Sequence, residues 1–579
     1  MTMLTKWGAA LDRSCPLPEY PRPQLRRESF YNLNGVWDYA VTPSGDEPEV
    51  WDGEIVVPFS PEAPLSGAAR GPAKDEYLHY RRGFTLPEGF QKSRVLLHFG
   101  AVDQIAEVFV NGVSAAKHSG GYWPFSADIT SLLREGENIL RVTVRDNADD
   151  PTFAYGKQRY KRGGMWYTAQ SGIWQTVWLE SVPEVYVKSL RITPEFDEAR
   201  VRIELETALE SSAAITCDVR AADGSFVAGS WAKGGVCVVP LPGFRAWTPD
   251  DPYLYTLDIT CGEDRVESYF AMRKFSYVEL GGHKVFGLNN APLFHNGLLD
   301  QGYYPDGLLT PPSDEAMVND IDTMKRCGFN MLRKHIKIEP LRWYYHCDRL
   351  GMIVWQDMVS GGQPYSFLHV SALPTLGKVD LPDQDAKPYG RSGVLSRARF
   401  RREMADTVRL LYNCPCIALW TVFNEGWGQF DALDMANELK MLDPTRFIDH
   451  ASGWQDQGYE EMKSRHIYFR PVKLKNDGRA LALTEYGGYI LAVDGHRWTG
   501  KVFGYRICRN SAALAHDYEK LMLGQVLPHI RKEGLTAAVY TQITDVEEEL
   551  NGLMTYDREV LKIPEETLRE INAALRFDA

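Results

Sequence analysis

The run Cys416-Ile417-Ala418-Leu419-Trp420-Thr421-Val422, continuing into Phe423-Asn424-Glu425-Gly426-Trp427-Gly428-Gln429, decides the fold. It is too short to span a bilayer and reads as a strand buried on both faces, the kind found in parallel sheets covered by helices. A carboxylate stands at its end. In a parallel α/β barrel the carboxyl ends of the strands line the active site while mid-strand residues fill the interior, so Glu425 is placed for chemistry. Gly426 and Gly428 let the backbone leave the strand sharply, and Trp427 between them is a candidate face for a sugar ring.

The same arrangement recurs at Ala480-Leu481-Ala482-Leu483-Thr484, which ends in Glu485 and Tyr486-Gly487-Gly488-Tyr489. A single glutamate after a strand is more often a solvated loop residue or a helix cap. Two of them ending two buried strands form the carboxylate pair that glycoside hydrolysis requires. Around them the β-then-α pattern repeats from 276 to 579. Ser313 caps a helix with Asp314 and Glu315 in its first turn, and Met317, Ile321 and Met324 form its apolar stripe up to Gly328. Strands are expected at 330–336, 352–357, 447–450, 466–469 and 538–545, which predicts a (β/α)8 TIM barrel with polar strand ends converging on one pocket. Segment 359–395, rich in Gly, Pro and Asp, reads as a long loop over that pocket.

Asn424-Glu425-Gly426-Trp427-Gly428-Gln429 and Thr484-Glu485-Tyr486-Gly487-Gly488 resemble glycoside hydrolase family 2, which holds β-galactosidases, β-glucuronidases and β-mannosidases, in its β-galactosidase-like branch. The resemblance implies that Glu425 is the acid/base, Asn424 the ligand of the sugar 2-hydroxyl and Glu485 the nucleophile. Arg333 and His335 look like the family's strand motif in which an arginine neighbours the nucleophile and a histidine reaches the sugar. His466 and Tyr468 resemble its His-x-Tyr element, whose tyrosine contacts the nucleophile. Asp357 ends a strand and is a candidate ligand for a sugar hydroxyl, or a loop cap. Asp545 and Glu547 end the last strand, to bind the sugar or to pair with a basic residue.

The chain departs from the pattern in places. Cys414 stands where relatives often have His, and the Glu-x-His metal motif is not apparent, so no metal or other cofactor is expected. The Asn-x-Lys element with which β-glucuronidases hold a sugar carboxylate is not apparent either. Arg470, beside His466-Ile467-Tyr468-Phe469, offers a guanidinium for that task and keeps a uronide open.

Residues 1–182 alternate in short strands cut by turns, with Asn111-Gly112 as the clearest hairpin signal, and predict a jelly-roll sandwich. Tyr20-Pro21-Arg22-Pro23, Asn32-Leu33-Asn34-Gly35, Val110-Asn111-Gly112 and Ser171-Gly172-Ile173-Trp174 extend the resemblance to the family's sugar-binding domain. Residues 183–275 predict an immunoglobulin-like sandwich that acts as a spacer.

The 579 residues exceed one core, and 44% hydrophobic with 24% charged residues is globular composition. A net charge of −13 argues against a nucleic-acid partner, and no long apolar run or basic patch predicts a membrane contact. The first residues lack an apolar signal core, and nine Cys follow no framework spacing, so a cytoplasmic protein with reduced thiols is expected. The two sandwiches leave room for a monomer or a homo-oligomer. The expected activity is that of an exo-acting retaining β-glycosidase with a carbohydrate partner, first a terminal β-D-galactoside. The alternatives are a β-galacturonide, a β-glucuronide or an α-L-arabinoside, and, outside the enzymes, an inactive carbohydrate-binding protein.

Overall fold

The computed structural model describes residues 3–209, 214–376 and 380–578. Its centre is an eight-stranded sheet. In chain order the strands are β1 (His295–Asp300), β2 (Met331–Lys334), β3 (Ile353–Asp357), β4 (Ile417–Thr421), β5 (Phe447–Asp449), β6 (Met462–Ile467), β7 (Ala480–Gly487) and β8 (Leu535–Thr541). All the ladders between them are parallel, in the order β5-β4-β3-β2-β1-β8-β7-β6. No ladder joins β5 to β6. Side chains close that seam instead: Ser464 Oγ donates to Asp449 Oδ1 (2.9 Å) and the Ile448 N–H donates to Glu461 Oε2 (3.0 Å).

The barrel is nearly closed and filled by side chains. Met331, Trp355, Leu419, Phe447, Ala482 and Val539 are buried in one interior cluster, while Val354, Ile417 and Trp420 face the helical layer. Alternation along the strands produces that division, except in β4, where the ladder to β3 slips one residue between Ile417 and Leu419. The helix α1 (Asp314–Arg326) starts as its sequence requires, with Ser313 Oγ accepting from the Ala316 N–H (3.3 Å).

Before β1 the chain makes an antiparallel hairpin, Phe275–Leu280 with His283–Leu288, where barrel sequence was expected from 276. Phe286 is fully buried, stacks on Phe447 at 4.3 Å and meets Trp355 edge-on at 5.8 Å. The hairpin thus closes the end of the barrel remote from the strand termini that carry Glu425 and Glu485. Burying one phenylalanine this way stabilises by about 1.5–3 kcal/mol.

Residues N-terminal to the hairpin form two sandwiches. In the first, a four-stranded sheet containing Arg94–Phe99 and Val177–Val182 faces a six-stranded sheet containing Gly35–Thr42, Tyr77–Thr85 and Glu137–Arg145. Trp37, Leu78, Val108, Val142 and Leu179 fill the space between. The second packs a three-stranded against a four-stranded sheet over Val201, Ile203, Val219 and Leu257. Arg27 joins the two, donating to Glu180 Oε2 (3.0 Å) and to both oxygens of Asp264 (2.9 Å). All nine cysteines are free thiols. Among the described residues no helix is long and apolar enough to cross a membrane.

Candidate active site

Glu425 lies four residues past β4, and its backbone is fixed by its neighbour strand. The Val422 N–H donates to Asp449 O (2.8 Å), the Glu425 N–H donates to Ser452 O (2.9 Å), and Trp454 Nε1 donates to Glu425 O (2.8 Å). Glu425 itself takes a left-handed conformation, φ +54°. A non-glycine residue there costs of order 1 kcal/mol or more, so the surrounding bonds hold it in place. The chain then runs through Gly428, φ +69°, where a Cβ would stand 2.6 Å from Arg391 Nη2 and 2.9 Å from Gly361 O. No larger residue fits.

Glu485 projects from β7, and Arg333 reaches it from β2 across the barrel. Arg333 Nη1 donates to Glu485 Oε1 (3.1 Å), and Tyr468 Oη donates to Glu485 Oε2 (2.5 Å). Arg333 also donates to Asn424 Oδ1 (2.8 Å) and binds Asp357 with two bonds, Nε to Oδ1 (2.9 Å) and Nη2 to Oδ2 (3.0 Å). A planar guanidinium serving three partners at once orients the whole floor of the site.

His466 stands between the glutamates, with Nδ1 2.9 Å from Glu425 Oε1 and 3.6 Å from Glu485 Oε2. Burial depresses its pKa to about 4, so the ring is neutral near pH 7. Arg333 Nη1, which can only donate, faces Nε2 at 3.5 Å. Ser452 Oγ faces the same Nε2 at 3.3 Å, and Nδ1 on the other side of the ring faces Glu425 Oε1. One oxygen from each glutamate and a ring nitrogen of His466 lie within 4.8 Å of one another. These are also donor atoms for a metal ion, but Arg333 and Tyr468 already serve both oxygens of Glu485, so the set is suited to moving protons.

The two carboxyl groups sit in different fields. Burial raises the pKa of Glu425 to about 6, opposed by the charges of Lys157 and Arg333. Burial also raises Glu485, which His466, Arg333 and the Tyr468 hydrogen bond oppose while the charge of Glu425 adds to the rise. Glu425 makes no bond to a guanidinium, whereas Glu485 does. That is the asymmetry an acid and a nucleophile need.

The structure brings Glu425, Glu485, Asn424, Arg333, His466 and Tyr468 together, and it revises other expectations. Asp357 is 1% exposed, and Arg333 and His335 Nδ1 (2.8 Å) take both its oxygens, so it supports the site rather than offering a free ligand. Asp545 accepts from Lys562 Nζ (2.6 Å) and the Gly552 N–H (2.9 Å) and is an ion-pair partner. Trp427 is buried, edge-on to Trp166 at 5.1 Å and against Tyr155 at 5.8 Å, and presents no open face. Trp420 points outward, Nε1 donating to Asp443 Oδ2 (2.9 Å). Arg470 is exposed on the wall of a cavity of about 590 Å³ that also holds Glu425, Tyr468 and Tyr505.

Segment 359–395 does border that cavity, through Phe367, Ala372 and Leu376, but it carries helical turns at Leu368–Ala372 and Leu373–Thr375. Residues 377–379 of it lie outside the described residues. Two neighbours of the site went unread in the sequence: Trp454, which bonds the Glu425 carbonyl, and Tyr505, whose ring stacks on Tyr468 at 3.9 Å. Each sits in a loop with no motif around it.

A parallel barrel with a half-buried Glu425 and a buried Glu485 at its strand ends is preceded here by two β-sandwiches. Three family models match: the sugar binding domain of glycosyl hydrolases family 2 over 64–183, the glycosyl hydrolases family 2 model over 185–273 and the family's TIM barrel domain over 311–473. The chain belongs to glycoside hydrolase family 2. It is 24% identical to a β-galactosidase of Thermoanaerobacter pseudethanolicus over 62% of this chain and 46% of that one. It is 22% identical to a β-glucuronidase of Paenibacillus borealis over 82% of this chain and 85% of that one. The structure of a β-glucuronidase from an uncultured Clostridium superposes with a TM-score of 0.74 at 18% identity, covering 95% of this chain and 99% of that one. The chain thus spans about half the length of the β-galactosidase it matches.

Proposed function

We propose that this protein is an exo-acting retaining β-glycosidase for a terminal β-D-galactoside, in which Glu485 is the nucleophile and Glu425 the acid/base. The sandwiches, 1–182 and 183–275, support the catalytic barrel, 276–579. The observation that carries the reading is the spacing of the carboxylates, whose nearer oxygens lie within 4.8 Å. Retaining enzymes hold their carboxyl groups about 5–5.5 Å apart, and inverting ones about 6.5–9.5 Å apart to admit a water.

Glu485 attacks the anomeric carbon while Glu425 gives its proton to the departing glycosidic oxygen, breaking the C–O bond. The glycosyl ester on Glu485 is then cleaved by a water whose proton returns to Glu425. Arg333 and Tyr468 stabilise the Glu485 carboxylate as it leaves, and Asn424, anchored by Arg333, faces the sugar. The β-galactosidase relative supports galactose, and the β-glucuronidase relative supports a uronide as the second reading.

Initial rates on nitrophenyl β-galactoside, β-galacturonide, β-glucuronide, β-mannoside and α-L-arabinoside test it, together with mass spectrometry after a 2-deoxy-2-fluoro galactoside. Turnover with the fluorosugar trapped on Glu485 is the expected result. A trapped sugar on another residue, or an inverted product, overturns the assignment.

A further inference from the structure

The cavity of about 590 Å³ beside the site is walled by Glu425, His466 and Tyr468, whereas Asn424 and Glu485, the groups proposed to meet the sugar ring, are not on its wall. Glu425 gives its proton to the departing oxygen, so whatever that oxygen carries runs outward from Glu425. The cavity is therefore on the leaving-group side, and its size is that of a pocket for a drug-sized molecule.

Away from Glu425 its wall is apolar. Phe367 and Leu376 come from the segment after β3 and Phe469 from the loop after β6, and they are 72%, 62% and 70% exposed. Ala372 and Phe503 stand on the same wall. A ligand that covers three large apolar side chains left in water around one opening is stabilised by their burial. Among the described residues the polar side chains there are few. Thr375 Oγ1 donates to Ser371 O (2.6 Å) and Trp454 Nε1 donates to Glu425 O (2.8 Å), which leaves Ser371, Tyr505 and the exposed Arg470. A saccharide in that place would need a partner for each hydroxyl taken from water.

The wall is also held in place. Gln455, fully buried next to Trp454, donates from Nε2 to His369 O (2.7 Å) and accepts at Oε1 from the Leu381 N–H (2.6 Å). These bonds tie the segment carrying Phe367 and Leu376 to the loop that holds the Glu425 carbonyl. Phe469 is braced separately, edge-on to Tyr505 at 5.0 Å, and Tyr505 stacks on Tyr468, the hydrogen-bond partner of Glu485. We infer that this cavity is a preformed site for an apolar aglycone, an aryl or alkyl alcohol, and that the enzyme prefers such glycosides to oligosaccharides. This rests on the retaining β-glycosidase reading above.

The test is kcat/KM, by release of the free sugar, for the full-length protein on methyl, hexyl and octyl β-D-galactoside below micelle-forming concentrations and on galactosyl-β-1,4-glucose. If another sugar is the one turned over, its alkyl glycosides and β-1,4-disaccharide replace these. The alkanols leave with nearly equal ease, so differences along the series report contact with the wall. A sugar hydroxyl is the better leaving group, so chemistry alone favours the disaccharide. The expected order is octyl above hexyl above methyl, with octyl about 10-fold or more over methyl, against a ceiling of about fourfold for each methylene fully buried. The disaccharide is expected below octyl. Phe367→Ala and Phe469→Ala, both at exposed positions, are expected to shrink the octyl-to-methyl ratio about threefold or more. A ratio taken on one preparation is unaffected by any loss of folded protein. Octyl and methyl glycosides within about twofold of each other, a disaccharide faster than the octyl glycoside, or an undiminished ratio in both variants overturns the aglycone site. Fluorosugar labelling of Glu485 with a flat alkyl series sinks the aglycone site alone, while an unlabelled Glu485 sinks the reading beneath it.

Discussion

At Glu425 two requirements meet in one side chain: it must hold a proton when the glycosidic oxygen leaves and lose it when water attacks. Burial supplies the first by raising its pKa to about 6, and Lys157 and Arg333 keep the rise moderate. The sign of the pH dependence follows. The acid is the protonated form, so kcat/KM falls as pH rises through about 6, while the limb at lower pH belongs to protonation of the nucleophile Glu485. In Glu425→Gln the high-pH limb is expected to vanish, with a loss of about 100-fold or more on substrates with poor leaving groups. A pH–rate profile of both proteins checks this. An unchanged high-pH limb in Glu425→Gln would assign the proton donor to another group.

The same logic extends to elements, where burial decided what the sequence could reveal. The hairpin carrying Phe286 is the barrel's plug, and Phe286→Ala removes a ring held between Phe447 and Trp355. A loss of about 3–5 kcal/mol is expected in denaturant unfolding, and a change below about 1 kcal/mol would mean that the barrel end does not depend on the plug. Strands β4 and β7 were legible because both faces are covered, which leaves unbroken apolar runs ending in Glu425 and Glu485. Strand β1, His295-Asn296-Gly297-Leu298-Leu299-Asp300, carries polar residues and no such run. Strand β6 lies at 462–467, earlier than the expected 466–469, because Lys463 and Arg465 interrupt its pattern. In the site, the strand ends marked Glu425 and Glu485 and the family resemblance pointed to Arg333 and Tyr468, but a free carboxylate and a paired one look alike in sequence, as Asp357 and Asp545 demonstrate.

Across the whole molecule, the first sandwich contributes directly to the barrel mouth. Residues 154–168 carry Lys157, Trp166 and Tyr167 to it, and Tyr167 Oη and the Thr168 N–H bond Glu549 and Glu547 beyond β8. Gly156 is a close point of that approach. With φ +64°, a Cβ there would lie 2.8 Å from Tyr122 Oη in the sandwich and 3.0 Å from Ile336 O in the barrel. Gly156→Ala therefore combines backbone strain with a steric clash at the interface, and the loop must lift from the barrel to relieve both. Because the loop borders the site, activity should suffer more than stability. Expected are a fall of about 10-fold or more in kcat/KM on the preferred glycoside, from lost positioning, and a Tm change of about 4 °C or less. A variant with full activity would show that the sandwich loop is only a buttress. One with a collapsed Tm would show that the contact chiefly holds the two domains together.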